Sequence, residues 1–253
     1  MQDLQGKTAV ITGAASGIGL GVAHAFASEG MRLVLADIDA DRLDHEATEL
    51  RAGGADVRAV PTDVGDAGAV VRLARESYDH YGRVHVLLNN AGVIASGNCW
   101  ELPLDDWERV LRVNLWGVIH GIRSFLPRML DQGEEAHILN MGSMASVVPV
   151  PTIGPYNVAK HGLLALTEGL AAELSAIHRT DIGVTLVMPG RVASRLGGGE
   201  PDPSVMDPEA LGAAVVDALR KRPLFCFTHA ERIPEVVARF ERIVGQDGTT
   251  SPA

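Results

Sequence analysis

A chain of 253 residues with 46% hydrophobic and 21% charged side chains is long enough to bury a substantial core as one domain. Its 22 basic and 32 acidic residues leave a net charge of −10, whose field repels phosphate polymers and anionic bilayers, so nucleic acid and membranes are not expected partners. Two cysteines, Cys99 and Cys226, stand far apart with no CxxC or Cys/His cluster, which argues against a disulfide framework or structural zinc and suits a reducing, cytoplasmic setting.

From the N-terminus, Met1 to Lys7 carries neither a basic nor a long apolar stretch, and no run approaches the roughly 18 apolar residues of a membrane span, so a soluble, untargeted protein is expected. Short runs, apolar nearly throughout, then recur at 8–12, 32–36, 57–60, 84–88, 137–141 and 183–187. That pattern fits parallel strands covered on both faces, whereas a sheet with one wet face would alternate. Between them, 17–30, 40–52, 66–81, 107–126 and 162–177 have helical periodicity. Repeated strand, helix, strand units predict a single-domain α/β fold over residues 1–244: a Rossmann-type, doubly wound parallel sheet with helices on both faces. Residues 195–203, rich in Gly and Pro, read as part of a loop spanning 193–207, and 245–253 as a disordered tail.

Ligands of such sheets bind beyond the carboxyl ends of the strands. After the first strand stands Thr12-Gly13-Ala14-Ala15-Ser16-Gly17-Ile18-Gly19, then a helix. Glycines there allow a tight turn and a close backbone approach to a pyrophosphate, whose charge meets the N–H groups at the helix start. The spacing is not GxGxxG, and a glycine-rich turn without ligand is its plain alternative. The second strand ends in Ala36-Asp37-Ile38-Asp39, where the Asp37 carboxylate can accept from ribose hydroxyls and repel a 2′-phosphate. Neither Ser16 nor Ile38 offers a cation, so NAD is expected over NADP; the alternative role for Asp37, a helix N-cap, is better filled by Asp39. Asp63 follows the third strand and Asn89-Asn90-Ala91-Gly92 the fourth, on the same edge.

Together with Asn114, Ser143, Tyr156, Lys160 and Pro189-Gly190, these motifs make residues 5–192 resemble the short-chain dehydrogenase/reductase family. The resemblance implies a Ser143, Tyr156, Lys160 and Asn114 catalytic set. It also implies cofactor contacts from Gly13, Ser16, Gly17, Ile18, Gly19, Asp37, Asp63, Val64, Asn90, Ala91, Gly92, Tyr156, Lys160, Pro189, Gly190 and Val192. Around Asn114 it implies a main-chain distortion and a water leading to Lys160; by itself Asn114 reads equally as a buried amide satisfying backbone.

The chemistry has its own logic. An alcohol losing hydride needs a base for its hydroxyl proton, and free tyrosine, with a pKa near 10, is a poor one. Lys160, four residues after Tyr156, shares its helix face. An ammonium about 4 Å away, at an effective dielectric near 20, is worth on the order of 4 kcal/mol, enough to lower a phenol pKa by up to roughly 3 before burial subtracts from it. Ser143 can hydrogen-bond the substrate oxygen.

Two departures from the family pattern stand out: Gly142 where many relatives have a second serine, and Ser194 where Thr is common. The C-terminus departs further, with Leu224-Phe225-Cys226-Phe227-Thr228-His229 and a helical 231–244 in place of a terminal strand and Asp-Gly-Gly. A homo-oligomer is implied, with dimer and tetramer both open. The segments 94–100, 145–154 and 193–207 lack clustered Arg or Lys, so an apolar secondary alcohol or ketone is the expected substrate, Arg191 and Arg195 being the reason for doubt. The nine histidines lack ligand spacing and no metal is expected; Trp100, Trp107 and Trp116 read as packing anchors, with Trp100 alternatively able to reach the substrate. A non-catalytic NAD-binding sensor or scaffold on the same fold is the competing reading, and an epimerase or dehydratase a further one.

Overall fold

In the computed structural model, which describes residues 1–193 and 205–245, all six apolar runs are strands. They are β1 (Thr8–Thr12), β2 (Arg32–Asp37), β3 (Val57–Pro61), β4 (Val86–Asn89), β5 (Ala136–Met141) and β6 (Ile182–Met188). All pair in parallel, in the order β3-β2-β1-β4-β5-β6, and the order reverses between β1 and β4. That switch point opens a crevice at the carboxyl ends of the two strands.

A seventh strand, β7 (Phe225–Phe227), adds in parallel to β6, pairing with Leu186, Val187 and Met188. This corrects the expectation that 224–229 replaces a terminal strand. Three residues are too short for periodicity to reveal, and only the open edge of β6 makes them a strand.

Both sheet faces are buried, as the unbroken apolar runs require. Alternate residues Ala9, Ile11, Leu33 and Leu35 pack under α1 (Gly17–Ser28) and α2 (Ala40–Ala52). Their neighbours Val10, Val34 and Leu87 pack against α3 (Ala67–Tyr81) and, past α4 (Leu104–Leu111), α5 (Gly117–Gln132) and α6 (Gly154–Ala176). On the first face α7 (Pro208–Lys221) lies against α1, whereas α8 (Ile233–Val244) packs Val236 against the second. The α1–α7 contact is backbone-close, because a Cβ on Gly212 would come 2.6 Å from the Gly21 carbonyl oxygen.

Three helical expectations change. The stretch 107–126 is α4, a π turn over Arg112–Trp116, and α5, which runs through Pro127 to Gln132 rather than stopping before the proline. Helix α6 begins two turns earlier than expected, with Pro155 in its first turn, where a missing N–H costs nothing. Trp100 and Trp116 are 82% and 53% exposed, so they are not packing anchors; Trp107 does pack, against the backbone of Gly154. The segments 194–204 and 246–253, including Ser194, Arg195 and most of the expected substrate loop and tail, lie outside the described residues.

Candidate active site

At the β1/β4 switch point a cleft of about 660 Å³ gathers almost every residue singled out above. Gly13, Ser16, Gly17, Ile18 and Asp37 line one end and Ser143, Tyr156 and Lys160 the other. Asp63, Val64, Asn90, Ala91, Gly92, Pro189, Gly190 and Val192 complete the wall. Gly19 and Asn114 stand behind it. A larger groove of about 1000 Å³ between the far ends of α1, α2 and α7 contains none of these groups.

The glycine loop is built for close approach. Gly13 and Gly17 have φ of +66° and +52°, and a Cβ on Gly13 would come 2.7 Å from the Cα of Ala91. A Cβ on Gly19 would come 2.1 Å from the Gly13 carbonyl oxygen, so this glycine seats the helix start on the loop rather than facing the cleft. Ser16 is the N-cap of α1 by position, yet its side chain makes no capping bond, so the first N–H groups of the helix face the cleft with no side-chain partner from Ser16. Asp37 accepts from the Ala15 N–H at 3.0 Å and the Asp39 N–H at 3.1 Å, and Asp39 caps α2 through the Arg42 N–H, as expected.

Sequence reading missed several supports. Arg42 donates from Nε to the Ala15 carbonyl at 2.6 Å and lies 3.8 Å from Glu46. Thr12 accepts through Oγ1 from the N–H groups of Asn90 and Ala91, while Asn90 Nδ2 donates to the carbonyls of Thr12 and Gly13. These bonds lock the loop after β4 onto the loop after β1. Arg112 pairs with Asp63 at 2.9 Å. Burial raises the Asp63 carboxyl pKa, but hydrogen bonds from Arg112 and the Gly65 N–H, with the Arg112 charge, outweigh it and hold it below the ordinary value. Only Thr12 carried a sequence signal, as the first residue of the glycine motif.

At the other end, Ser143 leaves β5 and caps a short 3₁₀ turn, Met144–Ser146, accepting the Ala145 N–H at 3.1 Å. Its hydroxyl also hydrogen-bonds the Tyr156 phenol, a contact that favours the phenolate. Gly142 beside it is packed tightly: a Cβ there would come 2.9 Å from Ser146 Oγ and 3.0 Å from the Val187 carbonyl oxygen. In this chain a second serine there would need the Leu186 and Ser146 side chains, or the Val187 carbonyl, to shift.

Tyr156 and Lys160 share one face of α6, with the ammonium 5.3 Å from the phenol ring centre. Lys160 is 3% exposed and donates to the Met141 carbonyl at 2.7 Å. Burial pulls its pKa down to about 8. The same burial raises the Tyr156 pKa, against a lowering by the Ser143 hydrogen bond. Burial is the opposing cost that the spacing argument left to be subtracted, and in the protein alone it outweighs the Ser143 hydrogen bond.

Asn114 is fully buried inside the π turn and bonds Val93 twice, from Nδ2 to the carbonyl and from the N–H to Oδ1, both at 2.8 Å. The main-chain distortion is therefore present, while the amide side chain is committed to holding the β4 loop.

Residues 7–202 match the family model of the short chain dehydrogenases. The chain belongs to that family. This short-chain dehydrogenase is 37% identical over 239 residues to 1-deoxy-11-beta-hydroxypentalenate dehydrogenase of Streptomyces exfoliatus, covering 90% of this chain and 85% of the relative. It is 41% identical over 187 residues to an uncharacterized oxidoreductase of Thermotoga maritima, covering 74% and 72%. Among solved structures it superposes on a short-chain dehydrogenase/reductase from Burkholderia phymatum in complex with NAD, with a TM-score of 0.92, 36% identity, and coverage of 100% and 99%. An alcohol dehydrogenase from Thermococcus sibiricus complexed with 5-hydroxy-NADP superposes with a TM-score of 0.78 and 28% identity, covering 88% and 96%. As a short-chain dehydrogenase, the protein is an oxidoreductase on a Rossmann fold that uses a nicotinamide cofactor. No helix among the described residues is long and apolar enough to cross a membrane.

Proposed function

We propose that this short-chain dehydrogenase is NAD-dependent and interconverts an apolar secondary alcohol and its ketone. The observation that carries this reading is the meeting of Ser143, Tyr156 and Lys160, from β5 and α6, in one cleft with the glycine loop and Asp37. The residues fit the dinucleotide: two positive-φ glycines leave room where a Cβ would strike Ala91, α1 turns its N–H groups toward the pyrophosphate position, and Asp37 offers a carboxylate to ribose hydroxyls. That carboxylate favours NAD. Arg42, the nearby cation, is engaged with the Ala15 carbonyl and Glu46.

When bound, the oxidised nicotinamide supplies the hydride acceptor and a positive charge. Ser143 donates its hydroxyl proton to the substrate oxygen and orients the carbinol carbon. Tyr156 removes the hydroxyl proton during oxidation and returns it during reduction. Lys160, an ammonium below about pH 8, offsets the charge that forms on the phenolate. A water held at the π turn of Asn114, as the family resemblance implies, would link Lys160 to solvent.

An apolar substrate is supported by Val93, Ile94, Met141 and Val192 in the cleft wall. Its two lining arginines are both engaged, Arg109 with Asp106 and Arg112 with Asp63. The name of the Streptomyces relative, a hydroxypentalenate dehydrogenase, agrees with an alcohol substrate. An exposed apolar stripe on α8, with Ile233, Val237 and Phe240, supports a homo-oligomer.

The test is formation of reduced nicotinamide with a panel of secondary alcohols and either NAD or NADP. NAD-dependent turnover is expected, and Tyr156→Phe lowers it by about 100-fold or more. Undiminished turnover in that variant would sink the mechanism, and a preference for NADP would sink the role of Asp37.

A further inference from the structure

The C-terminal segment, where the chain departs from the family pattern, reaches back to the cleft through one side chain. His229, just after β7, is 7% exposed and accepts the Gly190 N–H through Nδ1 at 2.9 Å. The Thr228 hydroxyl lies 2.9 Å from the same nitrogen. The imidazole lies flat against Gly190: a Cβ there would come 2.8 Å from His229 Cδ2 and 2.9 Å from Cγ. On the other side, the Pro189 carbonyl accepts the Met144 N–H at 2.8 Å, one residue from Ser143. The Pro189-Gly190 peptide is thus clamped between the Ser143 turn and His229, at the end of the cleft where Tyr156 and Lys160 stand and away from Asp37.

We infer that His229 is a positioning residue for the nicotinamide half of the cofactor, holding the Pro189-Gly190 wall through its bond to the Gly190 N–H. The inference rests on the proposed cofactor reading. Because Nδ1 receives an N–H, the neutral ring carries its proton on Nε2, and the bond needs an acceptor at the Nδ1 position. An asparagine can present its carbonyl oxygen near that position, whereas leucine fills similar space with no acceptor.

The full chain is titrated with NADH, followed by fluorescence, and separately with ADP, which probes only the adenosine half. His229→Leu is expected to weaken NADH about fivefold, the worth of roughly one hydrogen bond, while ADP affinity changes less than about twofold. His229→Asn restores NADH binding to within about twofold of the parent protein. Equal weakening of NADH and ADP in His229→Leu would mean general damage and overturn the inference. So would unchanged NADH binding in that variant, or a His229→Asn variant no better than it. If His229→Leu does not fold, failure of His229→Asn to bind NADH at near-parental strength overturns it as well. A parent protein that binds ADP but not NADH would instead overturn the cofactor reading, and this inference with it.

Discussion

Asp37 accepts two backbone N–H groups in the protein itself, from Ala15 and Asp39, so it shapes the glycine loop as well as facing the ribose position. Hydrogen bonds to a charged group are each worth about 1.5–3 kcal/mol, so Asp37→Ala is expected to raise the KM for NAD by roughly 10- to 100-fold. The same change removes the negative charge that opposes a 2′-phosphate and leaves Arg42 close by, so the NAD-to-NADP ratio of kcat/KM falls. Steady-state kinetics with both cofactors checks this, and an unchanged ratio would remove Asp37 from cofactor choice. Asp37 was legible because a carboxylate at the end of the second strand has one obvious neighbour. Arg42 was not, since its partner is a backbone carbonyl 27 residues away.

At the scale of elements, the π turn Arg112–Trp116 joins α4 to α5 and buries Asn114, whose amide satisfies both polar groups of Val93. An extra residue in one turn lets a side chain point at a loop that a regular α-helix would turn away from. Asn114→Ala leaves a donor and an acceptor of Val93 unpaired near a buried position, which costs about 1–3 kcal/mol for each group lost. Urea unfolding is expected to show a loss of roughly 2–4 kcal/mol, with Asn114→Asp intermediate because it keeps the acceptor. A loss below about 0.5 kcal/mol would show that Val93 finds other partners. The helix itself was evident from its periodicity. The π turn was not, because one inserted residue shifts the pattern by less than the scatter in apolar spacing.

For the whole molecule, the sheet end opposite the cleft holds a fully buried histidine. His137 on β5 lies 2.8 Å from Thr185 Oγ1 through Nε2, and its Nδ1 has no partner. Burial, reinforced by Arg222 and the N-terminal ammonium, pulls its pKa to about 3 from 6.5. Between these values the unfolded chain binds a proton that the folded one does not, so stability is full above about 6.5 and falls as the pH drops toward 3. At pH 5 the loss from this group is about 2 kcal/mol, from 1.36 kcal/mol per pH step. His85, pulled to about 4 by its own burial, adds a similar loss, so urea unfolding at pH 7 and pH 5 is expected to show a loss about 2 kcal/mol smaller in His137→Gln than in the parent protein. Equal losses in both would assign the acid sensitivity elsewhere.

The sequence by itself determined the parallel doubly wound sheet, because unbroken apolar runs can be satisfied only when both faces are covered. It also determined the glycine loop, Asp37 and the Tyr156–Lys160 pair, whose meaning lies in spacing along one strand end or one helix. What only the tertiary structure decided are contacts between residues far apart in the chain. Such are the clamp of His229 on Gly190, the Arg112–Asp63 pair, and the burial that raises the Tyr156 pKa where sequence spacing pointed to a lower one. Local periodicity reports which face a residue occupies; desolvation and long-range partners depend on what the rest of the chain brings to that face.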